Sequence, residues 1–171
     1  MEFRKTSVND IKDVMKIIKE AQNYFKDAGI DQWQNNYPNE DTIMNDIKND
    51  YSYVLVKDGE VVATAATSFD GEKTYERIYE GQWLTEDKYS WIHRIAVTSQ
   101  LKGLGLSSEI IKNVEKMAKD NEVYSIKIDT HEDNKSMQRL LTKNNFKRCG
   151  TIYLEDNSKR VAFEKVLDKN N

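Results

Sequence analysis

The sequence has little of several residue types that would point to a particular class of protein. Of its 171 residues, one is cysteine, one is proline and two are histidine. A single cysteine excludes an intrachain disulfide and any metal site built from a cysteine cluster. No apolar run approaches the roughly 20 residues that a membrane-spanning helix needs, and the N-terminal segment has no signal-peptide core. We therefore expect a cytoplasmic protein with no metal and no membrane contact.

What the sequence does contain is typical of a soluble globular domain. Hydrophobic residues make up 38% of the chain and charged residues 32%, with a formal net charge of −3. This balance gives no reason to expect a nucleic-acid partner, which would call for an excess of basic residues. The length predicts one domain with a single core over residues 1–171. The one cysteine, Cys149, lies in a predicted strand and is interpreted as a packing residue.

Periodicity and turn residues predict an alternation of strands and helices. The predicted elements are a strand over 2–6, a helix from Ser7 to about Gly29, a helix after Asn39 with Ile43, Met44 and Ile47 inward, a hairpin of strands 52–57 and 60–69, a strand over 91–98, a helix after 105, a strand over 124–130, a helix over 134–144, and strands over 147–153 and 160–166. Residues 70–90 are predicted to extend a strand and then form a structured excursion. The strand–helix–strand order implies a parallel pair, and the hairpins imply antiparallel pairing. The predicted fold is α+β, a mixed sheet with helices on both faces.

The most informative stretch is the glycine turn, Gln100-Leu101-Lys102-Gly103-Leu104-Gly105, between a predicted strand and a predicted helix. Glycines allow close approach of the backbone to a phosphate, and the N–H groups at a helix N-terminus attract anions. Lys102 would add a positive charge. The turn lacks the third glycine of a dinucleotide-binding fingerprint and the Lys-Ser/Thr pair of a Walker motif.

The spacing Q-x-x-G-x-G resembles the pyrophosphate-binding motif of the GCN5-related N-acetyltransferase (GNAT) superfamily, whose members transfer acetyl from acetyl-CoA to amines. The run from Arg94 to Val97 also resembles that family, as do the segment Asp129-Thr130-His131-x-x-Asn134 and the pair Asn145-Phe146. The resemblance implies a GNAT-like, mostly antiparallel central sheet in which one parallel strand pair splays apart. It also implies acetyl-CoA as the co-substrate.

In the family, pantetheine pairs with the backbone of the strand before the glycine turn, and the turn holds the pyrophosphate. The residues that the resemblance implies for CoA binding are Ile95, Ala96, Val97, Gln100, Lys102, Gly103, Leu104, Gly105, Leu106, Ser107, Asn134 and Lys143. For Lys143, a solvated helix lysine is an equally good interpretation.

His93 is the predicted general base. Strand alternation gives it the side-chain parity of Trp91 and Ile95, and an unperturbed pKa near 6.5 would suit proton uptake from an ammonium. The alternative is a histidine packed against Trp91 or hydrogen-bonded to a bulge in the strand. For His131, capping of the helix at Asn134 is favoured over catalysis.

The general acid is less well defined. Family members commonly place a tyrosine in the helix after the asparagine, but the matching residue here is Leu141, which cannot donate a proton. Tyr79 is the predicted substitute, with Tyr89, Tyr153 or water as alternatives.

The acceptor pocket is predicted to include the aromatic residues Trp33, Tyr37 and Trp83, with Glu80 attracting a cationic amine. The alternative for each aromatic residue is packing, and for Glu80 it is a solvated surface position. The predicted function is direct acetyl transfer from acetyl-CoA to a primary amine of a small molecule or peptide. A noncatalytic acyl-CoA-binding or partner-binding module is the alternative. A homodimer through the edge strand of the final hairpin is possible.

Overall fold

The structure is a computed structural model that describes residues 1–170; Asn171, the last residue of the predicted domain, lies outside the described residues. The elements are, in chain order, β1 (Glu2–Lys5), α1 (Ile11–Asp27), α2 (Glu40–Lys48), β2 (Ser52–Lys57), β3 (Glu60–Ser68), β4 (Ser90–Val97), α3 (Leu106–Asp120), β5 (Ser125–Thr130), α4 (Lys135–Lys143), β6 (Lys147–Tyr153) and β7 (Lys159–Val166). None of the helices among residues 1–170 is long and apolar enough to cross a membrane.

The first of two compact units comprises Met1–Thr67 and His93–Ile110. Its strands follow the order β1-β2-β3-β4, and β1, β2 and β3 pair antiparallel. Asp58 and Gly59 both have positive φ, of 51° and 80°, which suits the tight turn between β2 and β3. The Thr98 N–H donates to the Val62 carbonyl at 2.9 Å, just past the end of β4.

The core of the first unit forms where the apolar faces of α1 and α2 meet the strands. Its buried residues are Val14, Ile17 and Ile18 of α1, Ile43 of α2, Val54 of β2 and Ala96 of β4. Local capping sets where both helices begin. The Ser7 N–H donates to the Asp10 carboxylate at 2.7 Å, and the Thr42 N–H donates to the Asn39 side chain at 3.0 Å. The predicted cap of α2 at Asn39 is confirmed, whereas Ser7 precedes a 3-10 turn over Val8–Asp10 and α1 itself begins at Ile11.

The second unit comprises Ser68–Ile92 and the chain from Ile111 onward. Its strands follow the order β4-β5-β7-β6. β4 runs parallel to β5 through two registered pairs, Ser90 with Ile126 and Trp91 with Lys127. β5 pairs antiparallel with β7, and β7 with β6. The predicted α+β class, with mostly antiparallel pairing and one parallel pair, is confirmed.

Two details of the prediction were wrong. Residues 70–89 do not extend a strand; they contain a 3-10 turn at Lys73–Tyr75 and a single β-bridge from Tyr79 to Thr151. Their aromatic residues, which favour strands in general, pack on one another instead, as with the rings of Tyr75 and Trp83 at 5.3 Å. Met44, expected on the inner face of α2, is 39% exposed because its neighbour Ile43 takes the core position.

Candidate active site

The glycine turn connects β4 to α3 in the first unit. Gly103 and Gly105 both have φ of 80°, a conformation that favours glycine. The Glu109 N–H donates to the Gly105 carbonyl at 3.0 Å, so Gly105 caps the N-terminus of α3. The N–H groups of Leu106 and Ser107 therefore precede the first intrahelical bond, which is the arrangement that binds anions at helix N-termini.

The space beside the two glycines is open. A Cβ atom built at Gly103 or at Gly105 would meet no heavy atom within 4 Å. Glycine is thus favoured at both positions by the positive φ and not by a lack of space for a side chain. The backbone surface beside the two glycines is open to a ligand. A pyrophosphate would suit this turn, because it binds through N–H donors and close backbone approach and does not need side chains packed around it.

Two side chains of α1 hold the turn in place. The Glu20 carboxylate accepts from the Ser99 N–H at 2.7 Å and from the Thr98 hydroxyl at 3.4 Å. One helical turn further on, the Tyr24 ring lies under the Lys102 ammonium, which is 3.8 Å from the ring centroid. Lys102 could be predicted from the sequence but Glu20 and Tyr24 could not, because outward residues on a helix give no sign of what they contact.

The predicted CoA-binding residues of this unit divide into buried and exposed side chains. Ile95, Ala96 and Leu106 are buried, whereas Leu104 is 64% exposed. Gln100 is exposed, and Val97 and Ser107 are half-buried. Buried side chains anchor the segment in the core, so a ligand would meet its backbone.

β4 carries a bulge at Arg94, whose φ is 54°. The residue pairs on both sides, Trp91 with Ile92 and Ile95 with Ala96, are buried, so β4 shows no simple alternation of buried and exposed side chains. Arg94 Nε and Nη2 donate to the two carboxylate oxygens of Asp46, each at 2.7 Å. Its Nη1 donates to the Tyr37 hydroxyl at 3.0 Å. Tyr37, predicted to contact the acceptor, is thus tied to β4.

His93 lies next to this bulge and is half-buried. Burial, helped by the positive charge of Arg94, lowers the pKa of His93 to about 3. The expected pKa near 6.5 is therefore wrong for the folded chain, and the imidazole is neutral at pH 7. A neutral imidazole can still accept a hydrogen bond from an amine, but it binds a proton weakly.

Trp33 belongs to the packing of the first unit. Its ring meets Phe25 edge-on, with centroids 5.6 Å apart, and it packs against the buried core cluster. Its segment is fastened to α1, since the Gln22 side chain donates to the Pro38 carbonyl at 2.9 Å and the Gln34 side chain donates to the Gln22 carbonyl at 3.2 Å. The packing alternative thus describes Trp33 in this structure, and an acceptor contact remains a prediction.

The excursion of the second unit, residues 70–89, is fixed by polar contacts of its aromatic residues. The buried Tyr75 donates its hydroxyl to Asp129 at 2.6 Å. The Trp83 indole donates to the Tyr75 carbonyl at 2.8 Å. The Trp91 indole donates to the Gly71 carbonyl at 3.0 Å. Trp83, a predicted acceptor contact, therefore has a structural role in holding the excursion.

A buried lysine and a buried glutamate, neither of them evident from the sequence, contact the same excursion. The ammonium of Lys127 lies 4.3 Å from the Trp83 ring centroid and 4.2 Å from that of Tyr89. Burial lowers the pKa of Lys127, an effect that Glu164 opposes. The fully buried Glu164 carboxylate accepts from the Leu84 N–H at 2.6 Å. The alternation of the strands gave no sign that these two charged residues are buried.

Tyr79 and Glu80, the other two predicted site residues of the excursion, lie beside β6. Tyr79 is 43% exposed, and its ring meets Tyr153 edge-on at 5.3 Å. Its backbone exchanges two hydrogen bonds of 2.8 Å with Thr151. The Glu80 carboxylate accepts from the Thr151 hydroxyl at 3.0 Å. This segment occupies part of the outer edge of β6, the edge on which the predicted homodimer depends.

The remaining predicted residues lie on or near α4. Asn134 is buried and caps the helix, its side chain accepting from the Met137 N–H at 3.1 Å. His131 accepts from the Asp133 N–H at 3.0 Å in the turn before the helix, whereas Asn134 provides the cap of α4. Lys143 lines a depression of about 560 Å³, together with Lys135, Gln138, Arg139 and Thr142.

Leu141 is fully buried in the structure, so this position has neither a proton donor nor access to solvent. Cys149 is also buried, and burial raises the pKa of its thiol, in agreement with a packing role. Within residues 1–170, no group of three or more His, Cys, Asp or Glu side chains could hold a metal ion.

The strand, glycine turn and helix N-terminus together form an arrangement of the kind that binds phosphate-bearing ligands. Comparison with known proteins gives the family. The sequence model of the acetyltransferase (GNAT) family matches residues 15–146, and the chain belongs to this family. No curated protein sequence matches the chain.

Solved structures agree with this assignment. A GNAT-family acetyltransferase from Streptococcus agalactiae 2603 is 33% identical, with a TM-score of 0.91 over 98% of this chain and 96% of that one. A GNAT-family acetyltransferase from Listeria monocytogenes 4b F2365 is 19% identical, with a TM-score of 0.75 over 97% and 94% of the two chains. A ribosomal-protein-alanine N-acetyltransferase from Brucella melitensis is 15% identical, with a TM-score of 0.68 over 98% and 100%. The last two show the shared fold alone.

Proposed function

We propose that this protein is an acetyl-CoA-dependent N-acetyltransferase that moves an acetyl group to a primary amine of a small molecule or peptide. The observation that carries the proposal is the glycine turn, with two residues at φ of 80° and open space beside both. Backbone N–H groups at this turn would hold the pyrophosphate of CoA. The backbone of Ile95, Ala96 and Val97 would meet the pantetheine arm.

The reaction needs few catalytic side chains, because the thioester is already activated. The amine must lose a proton as it attacks the carbonyl carbon, and the thiolate of CoA leaves when the tetrahedral intermediate collapses. We propose that neutral His93 accepts a hydrogen bond from the attacking amine and that solvent takes the proton, since a pKa of about 3 makes the imidazole a weak base.

We propose Tyr79 as the proton donor to the leaving thiolate, supported by its exposed hydroxyl-bearing ring and by the burial of Leu141 at the position where the family commonly has tyrosine. Trp33, Tyr37, Glu80 and Trp83 remain the proposed acceptor residues. Asn134 and Lys143 remain proposed CoA contacts. A cytoplasmic location and a homodimer are also proposals, and size-exclusion chromatography with light scattering tests the second.

A second function is supported by the same Leu141. A fold that binds CoA but lacks the usual acid would suit a noncatalytic acyl-CoA-binding or partner-binding module. Thiol release separates the two functions. The protein is incubated with acetyl-CoA and a panel of polyamines, amino acids and peptides, and free CoA is measured; binding without turnover on any acceptor would favour the module.

Ligand binding is tested by thermal shift with CoA and acetyl-CoA. A ligand present at about 100 times its Kd stabilises the native state by about 2.7 kcal/mol, which corresponds to a Tm increase of about 5–10 °C for a chain of this size. Gly105→Leu should remove this shift. Gly59→Leu is the matched control, because Gly59 has the same φ of 80° with no heavy atom within 4 Å of a Cβ. No shift with the unaltered protein at saturating CoA would refute the proposal.

A further inference from the structure

Arg94 adopts a backbone conformation that needs support from its surroundings. Its φ of 54° places a long side chain in the left-handed region in the middle of a strand. For a residue other than glycine, this conformation costs about 1 kcal/mol or more, and it persists only where other contacts impose it. The contacts of the Arg94 side chain supply such support.

The support comes from α2. Asp46 takes two parallel hydrogen bonds of 2.7 Å from the guanidinium of Arg94, the geometry in which arginine and a carboxylate interact most strongly. The two side chains are 4% and 14% exposed, so water does not compete for this pair. Asp46 is itself fixed, since it lies one helical turn beyond the buried Ile43 on a helix capped by Asn39.

The bulge lies between His93 and Ile95, the residues proposed to face the amine and the pantetheine arm. Rotation at Arg94 sets the direction of the peptide groups on both sides, and reacting groups must be placed within a fraction of an ångström. We propose that the Asp46–Arg94 pair is a positioning device that fixes the β4 bulge for acetyl transfer, so that its loss slows the chemical step more than it weakens the binding of CoA, which the glycine turn also supports. This inference rests on the proposed function.

The primary test is Asp46→Asn, which keeps the shape of the side chain but removes its charge. The matched control is Asp10→Asn, which disrupts another arginine–carboxylate pair of the first unit, Arg4 with Asp10 at 2.7 and 3.0 Å, outside the proposed site. Both variants are assayed well below their Tm, with kcat expressed per CoA-binding site counted by titration calorimetry. This normalisation removes any loss of folded protein from the comparison.

We expect Asp46→Asn to lower kcat about tenfold, which corresponds to about 1.4 kcal/mol, while KM for acetyl-CoA stays within about twofold. Asp10→Asn should keep the kcat of the unaltered protein. The double variant Asp46→Leu with Arg94→Met removes the unpaired charge, so it should recover Tm but not kcat. Recovery of kcat together with Tm, or an unchanged kcat in Asp46→Asn, would overturn the inference.

A measurement without turnover separates this inference from the proposed function. Backbone chemical shifts of Arg94 report its φ, and we expect them to leave the left-handed range in Asp46→Asn but not in Asp10→Asn. If the unaltered protein neither binds CoA nor releases thiol, the proposed function fails, and the chemical shifts alone decide whether the pair fixes the bulge. Chemical shifts that still report a left-handed φ at Arg94 in Asp46→Asn would overturn the inference.

Discussion

Lowering the pH from about 7.5 to about 5 should destabilise the folded chain through His93, because the folded state holds this imidazole neutral. The pKa is lowered from 6.5 to about 3 by burial and by Arg94. Between these values the unfolded chain binds a proton at His93 and the folded chain does not. Stability therefore rises with pH through this window and levels off above about pH 7.

The magnitude follows from the two pKa values. Each pH unit within the window changes the free energy of unfolding by about 1.4 kcal/mol, so at about pH 5 the folded state has lost about 2 kcal/mol. His93 is half-buried and retains some solvent contact, which makes this figure an upper limit. For a chain of this length, about 2 kcal/mol corresponds to a Tm decrease of about 4–8 °C.

The assay compares Tm across this pH range for the unaltered protein and for His93→Gln, which keeps a polar side chain that does not titrate. The variant should lose this part of the pH dependence. His131→Gln, which replaces the other histidine, measures how far any histidine substitution alters the curve. Parallel curves for the unaltered protein and His93→Gln would refute the reasoning. So would a kcat profile with an inflection near pH 6.5 that His93→Gln removes.

Three further results are expected. Asp10→Asn should lower Tm by a few degrees at neutral pH, because the hydrogen bond from Arg4 lowers the pKa of Asp10 to about 2. After allowance for the partly exposed Arg4, this stabilises the folded state by about 1 kcal/mol above about pH 4, and the stabilisation is lost as pH falls to about 2. An equal Tm difference between the two proteins at pH 7 and pH 2 would contradict this. Glu20→Gln should weaken CoA binding severalfold, as measured by calorimetry, because the Glu20 carboxylate fixes the turn through the Ser99 N–H. An unchanged affinity for CoA would mean that the turn does not depend on this hydrogen bond. Gly81→Ala should lower Tm and disturb the excursion, since its Cβ would lie 1.9 Å from a β6 carbonyl oxygen; a Tm equal to that of the unaltered protein would show that the contact relaxes freely.

Much of the fold could be predicted because its signals are local. Asn39 caps α2 with its side chain, Asp10 accepts from the nearby Ser7 N–H, and Asp58-Gly59 encodes its turn by its backbone preferences. The glycine turn is also recognisable locally, since two glycines with positive φ directly precede a helix. These short-range patterns were sufficient to predict the α+β class and the family.

Residues 70–89 show where local signals fail. Their aromatic residues have strand propensity, but the structure uses them to cover polar groups such as Asp129 and Lys127. Propensity describes a residue in an average environment, and here the packing of one irregular segment overrides it.

The sequence by itself determined the strands, the helices and the glycine turn, because each depends on residues a few positions apart. Only the tertiary structure decided which charges meet and which are buried. Arg94 and Asp46 are 48 positions apart, and Ser99 and Glu20 are 79 apart. The same folding that brought Arg94 to Asp46 removed much of His93 from solvent and lowered its pKa. Burial and long-range pairing depend on the whole chain, so the proton chemistry of the candidate site could not be read from its residue types.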